Sequence, residues 1–445
     1  MNYSETVHFL FTSLPVFQHS GGSAYKPGLQ TACELDDFYG NPHRKYKTIH
    51  VAGTNGKGSV SHMLAAVLQG CGYKTGLFTS PHLEDFRERI KVNGEMISEQ
   101  EVVEFVERSR NLFDKVQPSF FEMTSAMAFD HFARRQVDIA VIETGMGGRL
   151  DATNIILPVM SVITNIGYDH TMFLGNNLIA ISGEKAGIIK PNVPVVIGES
   201  QSGTNQVFEK KARQLGCPIV FADQHARVSR TEYLPSGQAL YIKQNEQEHP
   251  QPVIIDLIGD YQQTNIVTVL MTIQCLRLHT NIEIASENIL PSLKHAARTT
   301  GLRGRWQVLR QEPLVVCDVG HNVDGFSWII RQLGCCVYEK LHIVVGFVND
   351  KDVSGMLGFL PPNAVYYFTK ASIPRALDEN ELARQAGECG LSGTPYPLTD
   401  MAIEAALRNA DATDMIFIGG STFVVAEALS IADLIRNRKL SGLSS

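Results

Sequence analysis

The sequence predicts an α/β protein in two domains. A larger parallel-sheet domain carrying a phosphate loop spans 1–297, a linker spans 298–305, and a smaller α/β domain spans 306–445. Three observations carry this. A buried, β-branched run, Ile49 to Ala52, feeds a glycine-rich turn and then a helix. Short apolar strands go on alternating with helices, the pattern of a mostly parallel sheet. After the basic, glycine-broken stretch Arg298-Thr-Thr-Gly-Leu-Arg-Gly-Arg305 the alternation starts again.

The turn reads Gly53-Thr54-Asn55-Gly56-Lys57-Gly58-Ser59, and Val60, Met63, Leu64, Val67 and Leu68 follow at helical spacing. Glycines let backbone N–H groups face an anion with no Cβ in the way. The helix N-terminus adds partial positive charge and Lys57 a full one. The hydroxyl of Ser59 is placed to reach a magnesium ion. The loop is shorter than the usual G-x-x-x-x-G-K-[ST], so the alternative is a glycine turn with a surface lysine; the flanking strand and helix favour the phosphate cradle.

Residues 1–47 read as a helix, Asn2 to Phe17, and a turn-rich loop, Ser20 to Gly28, either a substrate cover or a plain connector. Lys74–Phe78, Val137–Ile142 and Val159–Ile163 read as further strands, and Ile90–Ile97 as a hairpin turning at Asn93-Gly94. Helices fall at Glu99–Phe113, Ser119–Ala133 and Thr204–Leu215, with a short one ending near Pro191. Residues 225–256 read as solvent-facing β structure, 257–278 as a long helix and 284–297 as one more. In the second domain the strands are Val315–Val319, His342–Val345, Val365–Phe368 and Met415–Ile418, with helices near 323–333, 352–359, 378–388, 400–409 and 421–436.

Composition narrows the class. The 445 residues are 44% apolar and 19% charged, with net charge −7, so nothing favours nucleic acid or an anionic membrane. No apolar run approaches ~18 residues, and the N-terminus lacks the pattern of a cleaved leader. The eight cysteines have no metal or disulfide-framework spacing, which fits a reduced cytoplasmic compartment.

Ligands bind beyond the carboxyl ends of parallel strands, and Ser80, Glu143 and His170 all fall there beside the phosphate loop. Glu143 reads as a Mg²⁺ carboxylate or a buried salt-bridge glutamate, and Ser80 as a hydroxyl ligand or a turn serine before Pro81. His170 alone reads as a structural histidine, since magnesium prefers oxygen. Gly145-Met-Gly-Gly148 lacks the third glycine of a dinucleotide turn, position 150 being Leu. In Cys317-Asp-Val-Gly-His-Asn322, Asp318 and His321 suit gripping a ribose or ordering a water. Asp350-Lys-Asp352 and Ser372-Ile-Pro-Arg375 read as solvated turn charge.

In order along the chain, His50-Val-Ala-Gly-Thr-Asn-Gly-Lys-Gly-Ser59, Phe78-Thr-Ser-Pro-His-Leu83, Glu143-Thr-Gly-Met-Gly-Gly-Arg-Leu-Asp-Ala-Thr-Asn154, Asp169-His170, Glu184-Lys-Ala-Gly-Ile-Ile-Lys190 and Gly304-Arg-Trp-Gln307 resemble the folylpolyglutamate/dihydrofolate synthases of the Mur-ligase superfamily. The likeness runs from about Tyr25 to Glu427; one departure is Val323, where the family usually has proline. It implies a Mur-ligase-like fold whose second domain is Rossmann-like. The implied reaction is ADP-forming addition of L-glutamate to dihydropteroate and to reduced folates through an acyl phosphate. Two alternatives are polyglutamylation only and a Mur-type cell-wall ligase; against the latter stand Gly58 after Lys57 and the run Arg149–Asn154. A third is a nucleotide-dependent switch that has lost catalysis.

The resemblance also implies roles. Thr54, Asn55, Gly56, Lys57, Gly58 and Ser59 grip the triphosphate, and Asn265, Arg305 and Asp318 contact the nucleotide. Ser80, Glu143, His170 and Lys185 serve two Mg²⁺ ions, Lys185 as a carbamate; from sequence alone Lys185 reads as a helix-surface cation. Lys57, Lys185 and His321 are the catalytic candidates, His321 near the glutamate and acyl-phosphate site. Phe121, Arg149, Leu150 and Asp151 meet the pterin. The implied partners are ATP, L-glutamate, dihydropteroate and reduced folates, acting on a monomer, with nucleotide contacts from both domains implying closure over the reaction.

Overall fold

A computed structural model describes residues 1–14, 28–245 and 247–437 of the chain. The loop expected over Ser20–Gly28 therefore lies almost wholly outside the described residues. Two compact units emerge: Met1–Asp256 with Tyr261–Leu302, and Leu257–Asp260 with Arg303–Ser445.

The first unit is built on β1 (Lys47–Ala52), β2 (Thr75–Phe78), β3 (Ile90–Val92), β4 (Glu95–Met96), β5 (Ile139–Glu143), β6 (Met160–Ile163), β7 (Val195–Ile197) and β8 (Ile219–Phe221). They form one sheet in the order β4-β3-β2-β5-β1-β6-β7-β8, parallel except for the β3–β4 hairpin at the edge. All of β2, β5, β6 and β7 and most of β1 are buried, as expected for a sheet covered on both faces. Val51 lies level with Glu143, and Ala52 with Ile163. The register therefore brings the loops after β1, β5 and β6 to one edge, with the loop after β2 next to them.

Two helices of this unit start at side-chain caps. Ser98 with Glu101 and Ser119 with Glu122 form reciprocal capping boxes that open Glu99–Val116 and Phe120–Arg134. Phe105, Phe113, Phe120, Phe129 and Phe132 from these helices pack with Phe78 and Phe86 into one core cluster. A small antiparallel sheet follows, made of β9 (Ala226–Leu234), β10 (Gly237–Gln244), β11 (Gln247–Glu248) and β12 (Val253–Ile255). The long helix begins at Gln262 and ends at His279. The helix expected over 284–297 divides into Ser286–Leu293 and Ala296–Thr300; Pro291, which cannot donate to the helical ladder, lies just before the break. Arg298, Thr299 and Thr300 thus finish a helix rather than start a linker, and the chain changes unit between Leu302 and Arg303.

The second unit holds β13 (Gln307–Gln311), β14 (Leu314–Cys317), β15 (Leu341–Val345), β16 (Val365–Thr369), β17 (Gly393–Tyr396) and β18 (Met415–Gly419), in the order β13-β14-β18-β15-β16-β17. Its two edge strands went unread in the sequence. β13 is antiparallel with polar ends, and β17, Gly-Thr-Pro-Tyr, contains a proline tolerated at an edge. The last helix expected, 421–436, is two, broken at Ile431. Arg375 and Asp350, expected as solvated turn charge, form an ion pair at 2.7 Å. Among the described residues no helix is long and apolar enough to cross a membrane.

Candidate functional site

The phosphate loop joins β1 to the helix Lys57–Gly70. Two of its glycines are required by space and backbone. At Gly53 (φ 149°) a Cβ would fall 1.8 Å from Thr164 Oγ1; at Gly56 (φ 83°) it would fall 2.2 Å from Asn265 Oδ1. Asn265 therefore lies against the loop, with Nδ2 donating to Gln262 Oε1 at 2.9 Å, while Gln262 Nε2 donates to Ser59 Oγ at 3.1 Å. The loop's far side is tied to the strand end after β6. Thr54 N–H donates to Asn165 O at 2.9 Å and Asn55 N–H to Asn165 Oδ1 at 2.8 Å. Among the described residues no side chain caps the helix at Gly56, so its first-turn N–H groups suit an anion.

Two lysines enter this loop. Lys57 Nζ donates to the carbonyls of Gly53 and Thr54 at 3.0 and 3.1 Å. Lys185 Nζ donates to Gly53 O at 2.7 Å from the last turn of Leu178–Lys185. Lys185 is 3% exposed, which corrects its reading as a helix-surface cation. Burial first, then the charge of Lys57, pushes its amine down to about 7; Asp169 and Asp151 pull the other way.

At the ends of β5 and β2, Glu143 is buried and its Oε2 accepts the Ser80 N–H at 3.2 Å. His170 follows β6 with φ 50°, its Nε2 3.8 Å from Asp169 Oδ2. Phe121 stacks under the loop after β5: a Cβ on Gly145 would meet its ring at 2.6 Å, and its centroid is 5.8 Å from that of Phe78. Arg149 is the exposed member of its turn, paired with Glu184 at 2.9 Å; Leu150 is half-buried. Asp151 is buried and closes the turn, accepting the N–H groups of Met146 and Thr153.

In the second unit, Asp318 follows β14. Its two oxygens accept the N–H groups of Trp306 at 2.7 Å and Gly320 at 2.8 Å. Arg305 stands between Gly304, whose carbonyl accepts the Val319 N–H at 3.1 Å, and Trp306, held at φ 46°. His321 Nδ1 lies 3.0 Å from Val319 O. A carbonyl only accepts, so Nδ1 carries the proton and Nε2 is the basic nitrogen.

Sequence reasoning missed Gln262, which supports Ser59, and quoted Asp169 beside His170 without giving it a role, where it acts on the charge of Lys185. Asp169 had a signal, its place beside His170 at a strand end; Gln262 had none.

Residues 51–273 match the family model of the Mur ligase middle domain, and residues 304–422 that of the Mur ligase glutamate ligase domain. The chain is 31% identical over 411 residues to the dihydrofolate synthase/folylpolyglutamate synthase of Bacillus subtilis, covering 90% of this chain and 94% of that one. It is 32% identical over 453 residues to the folylpolyglutamate synthase of Lacticaseibacillus casei, covering 100% of each. It spans 50% of the length of a Haloferax volcanii relative described as a bifunctional folylpolyglutamate synthase/dihydropteroate synthase, at 34% identity. The structure of Mycobacterium tuberculosis folylpolyglutamate synthase complexed with ADP matches with a TM-score of 0.86 at 29% identity, covering 99% of each chain.

Proposed function

The chain belongs to the folylpolyglutamate synthase/dihydrofolate synthase family of Mur ligases, and from that premise we propose that it joins L-glutamate to dihydropteroate and to reduced folates at the expense of ATP. The observation that carries the reading is the uncapped helix N-terminus at Gly56 with two lysines in its loop and the Glu143 carboxylate on a neighbouring strand end.

The physical problem is charge, because a carboxylate must approach a triphosphate. The loop N–H groups and Lys57 lower the repulsion and hold the γ-phosphate in line. The acceptor carboxylate attacks the γ-phosphorus, and ADP departs. The amine of glutamate then attacks the acyl carbonyl, and phosphate departs. His321, basic at Nε2, takes the proton the amine loses. Asn265, Arg305 and Asp318 serve the nucleotide; Phe121 and the Arg149-Leu150-Asp151 turn serve the pterin.

The donor set at the loop fits magnesium that arrives on the nucleotide. Among the described residues no three His, Cys, Asp or Glu side chains gather as a metal site. Ser80 and Glu143 would supply oxygen donors to such an ion. Held by these residues, one magnesium ion or two would offset triphosphate charge. His170 adds a nitrogen donor on the same reading. Lys185 fits a carbamate: an amine held near pH 7 is largely neutral under mildly basic conditions, and only the neutral amine adds CO₂.

The test supplies ATP, Mg²⁺ and labelled L-glutamate with either dihydropteroate or tetrahydrofolate to the purified protein. Amide product is expected with both. Product with tetrahydrofolate alone reduces the activity to polyglutamylation, and product with neither overturns the folate assignment.

A further inference from the structure

His50 is a fully buried imidazole in β1, three residues before Gly53, that the reaction above leaves unused. Its Nε2 lies 2.8 Å from Thr153 Oγ1. Thr153 Oγ1 in turn bonds Asp151 Oδ1, which also accepts the Thr153 N–H at 3.0 Å. The other Asp151 oxygen accepts the Met146 N–H at 2.9 Å. A carboxylate oxygen accepts, so the threonine hydroxyl donates to Asp151 and accepts from His50. That fixes the ring as its Nε2–H tautomer. Burial, with Lys190 second, pushes the pKa of His50 down to about 3, so the ring stays neutral. Its Nδ1 is buried with no hydrogen-bond partner among the described residues, a cost that an aliphatic residue in the same strand would not carry.

We propose that His50 and Thr153 are positioning residues for the acceptor: they aim the Asp151 carboxylate, through a chain of buried hydrogen bonds, at the amino and ring N–H donors of a pterin. The proposal rests on the reading of Asp151 as a pterin contact. It deepens that reading by tying the turn that meets the acceptor to the strand that carries the phosphate loop. Asp151 bridges Met146 and Thr153 and so closes that turn. Thr153 Oγ1 touches both side chains, so its hydroxyl is the point at which to break the series.

The experiment compares Thr153→Val and His50→Leu with Thr153→Ser and His50→Gln, which keep the hydroxyl and an N–H donor. Thr153→Ala serves if valine disturbs packing. Michaelis constants are measured for dihydropteroate and for ATP, and ring-nitrogen NMR reads the His50 tautomer. Val and Leu should raise KM for dihydropteroate roughly tenfold while KM for ATP stays within about twofold. Ser and Gln should restore the wild-type value, and the spectrum should show Nε2–H. A KM for ATP that rises in step, an unchanged acceptor KM in folded variants, or an Nδ1–H ring would each overturn the proposal. If the wild-type protein uses no pterin acceptor, the functional reading fails, and the tautomer spectrum alone decides whether the hydrogen-bond chain exists.

Discussion

Lys57 and Lys185 donate to the same acceptor, the carbonyl of Gly53, at 3.0 and 2.7 Å. Burial first, and then repulsion between two ammonium groups drawn to one oxygen, lowers the Lys185 amine to about 7. An anion added at this point relieves both. A triphosphate would do so from outside, and on the proposed reading a carbamate would do so by converting Lys185 itself.

Lys185→Ala should therefore abolish turnover. If the lysine works as a carbamate, acetate or formate should restore part of the rate, because a free carboxylate replaces the one lost. Rescue by methylamine in place of a carboxylate would point to the amine instead.

Lys57→Ala should cut kcat by roughly a hundredfold or more, with little change in Tm, because the side chain is only half-buried at the first turn of its helix, outside the core. Near-normal turnover in the folded variant would remove Lys57 from the phosphate grip.

Glu143→Gln keeps shape and loses charge. Half-maximal activity should move to a much higher Mg²⁺ concentration, read by titrating the metal at fixed ATP. An unshifted titration would exclude Glu143 as a ligand.

Gly56→Ala should raise KM for ATP at least roughly tenfold, since its Cβ would meet Asn265 Oδ1 at 2.2 Å and φ is 83°. Gly72→Ala, at φ 89° with open space around it, is the control and should affect stability only.

His131 is buried, and its pKa is lowered to about 4, burial being the largest cause. Between that value and the ordinary 6.5 the unfolded chain holds a proton that the folded protein has released. Stability therefore rises with pH through this window and is lost as pH falls. Thermal melts of His131→Gln should show a shallower loss of Tm than wild type between about pH 6.5 and 4.

The phosphate loop was legible because its signals are local: a β-branched run, glycines, a lysine and a helical repeat within one short stretch. The meeting of Ser80 with Glu143 was legible one level up, since strand ends in a parallel sheet share an edge. What stayed hidden depends on contacts between residues far apart in sequence. Nothing near Gln262 announces that it bonds Ser59, nor near Thr153 that it accepts from His50. Lys185 looks like a helix-surface cation until Gly53 O is seen beneath it. The edge strands β13 and β17 escaped because edge strands need not be apolar, and the break after Leu293 because the helical spacing continues past Pro291.

The short segment Leu257–Asp260 has a consequence for dissecting the gene. These four residues precede the helix that lies on the phosphate loop, yet they belong to the second unit, where Ile258 packs on the core and Gln332 grips Ile258 O at 3.0 Å and the Asp260 N–H at 2.9 Å. No single scission yields two whole halves: cutting after Leu302 strips the carboxyl-terminal fragment of a peptide encoded some forty-five codons upstream. Fragment complementation, circular permutation and fusion at that seam all have to carry this tetrapeptide along.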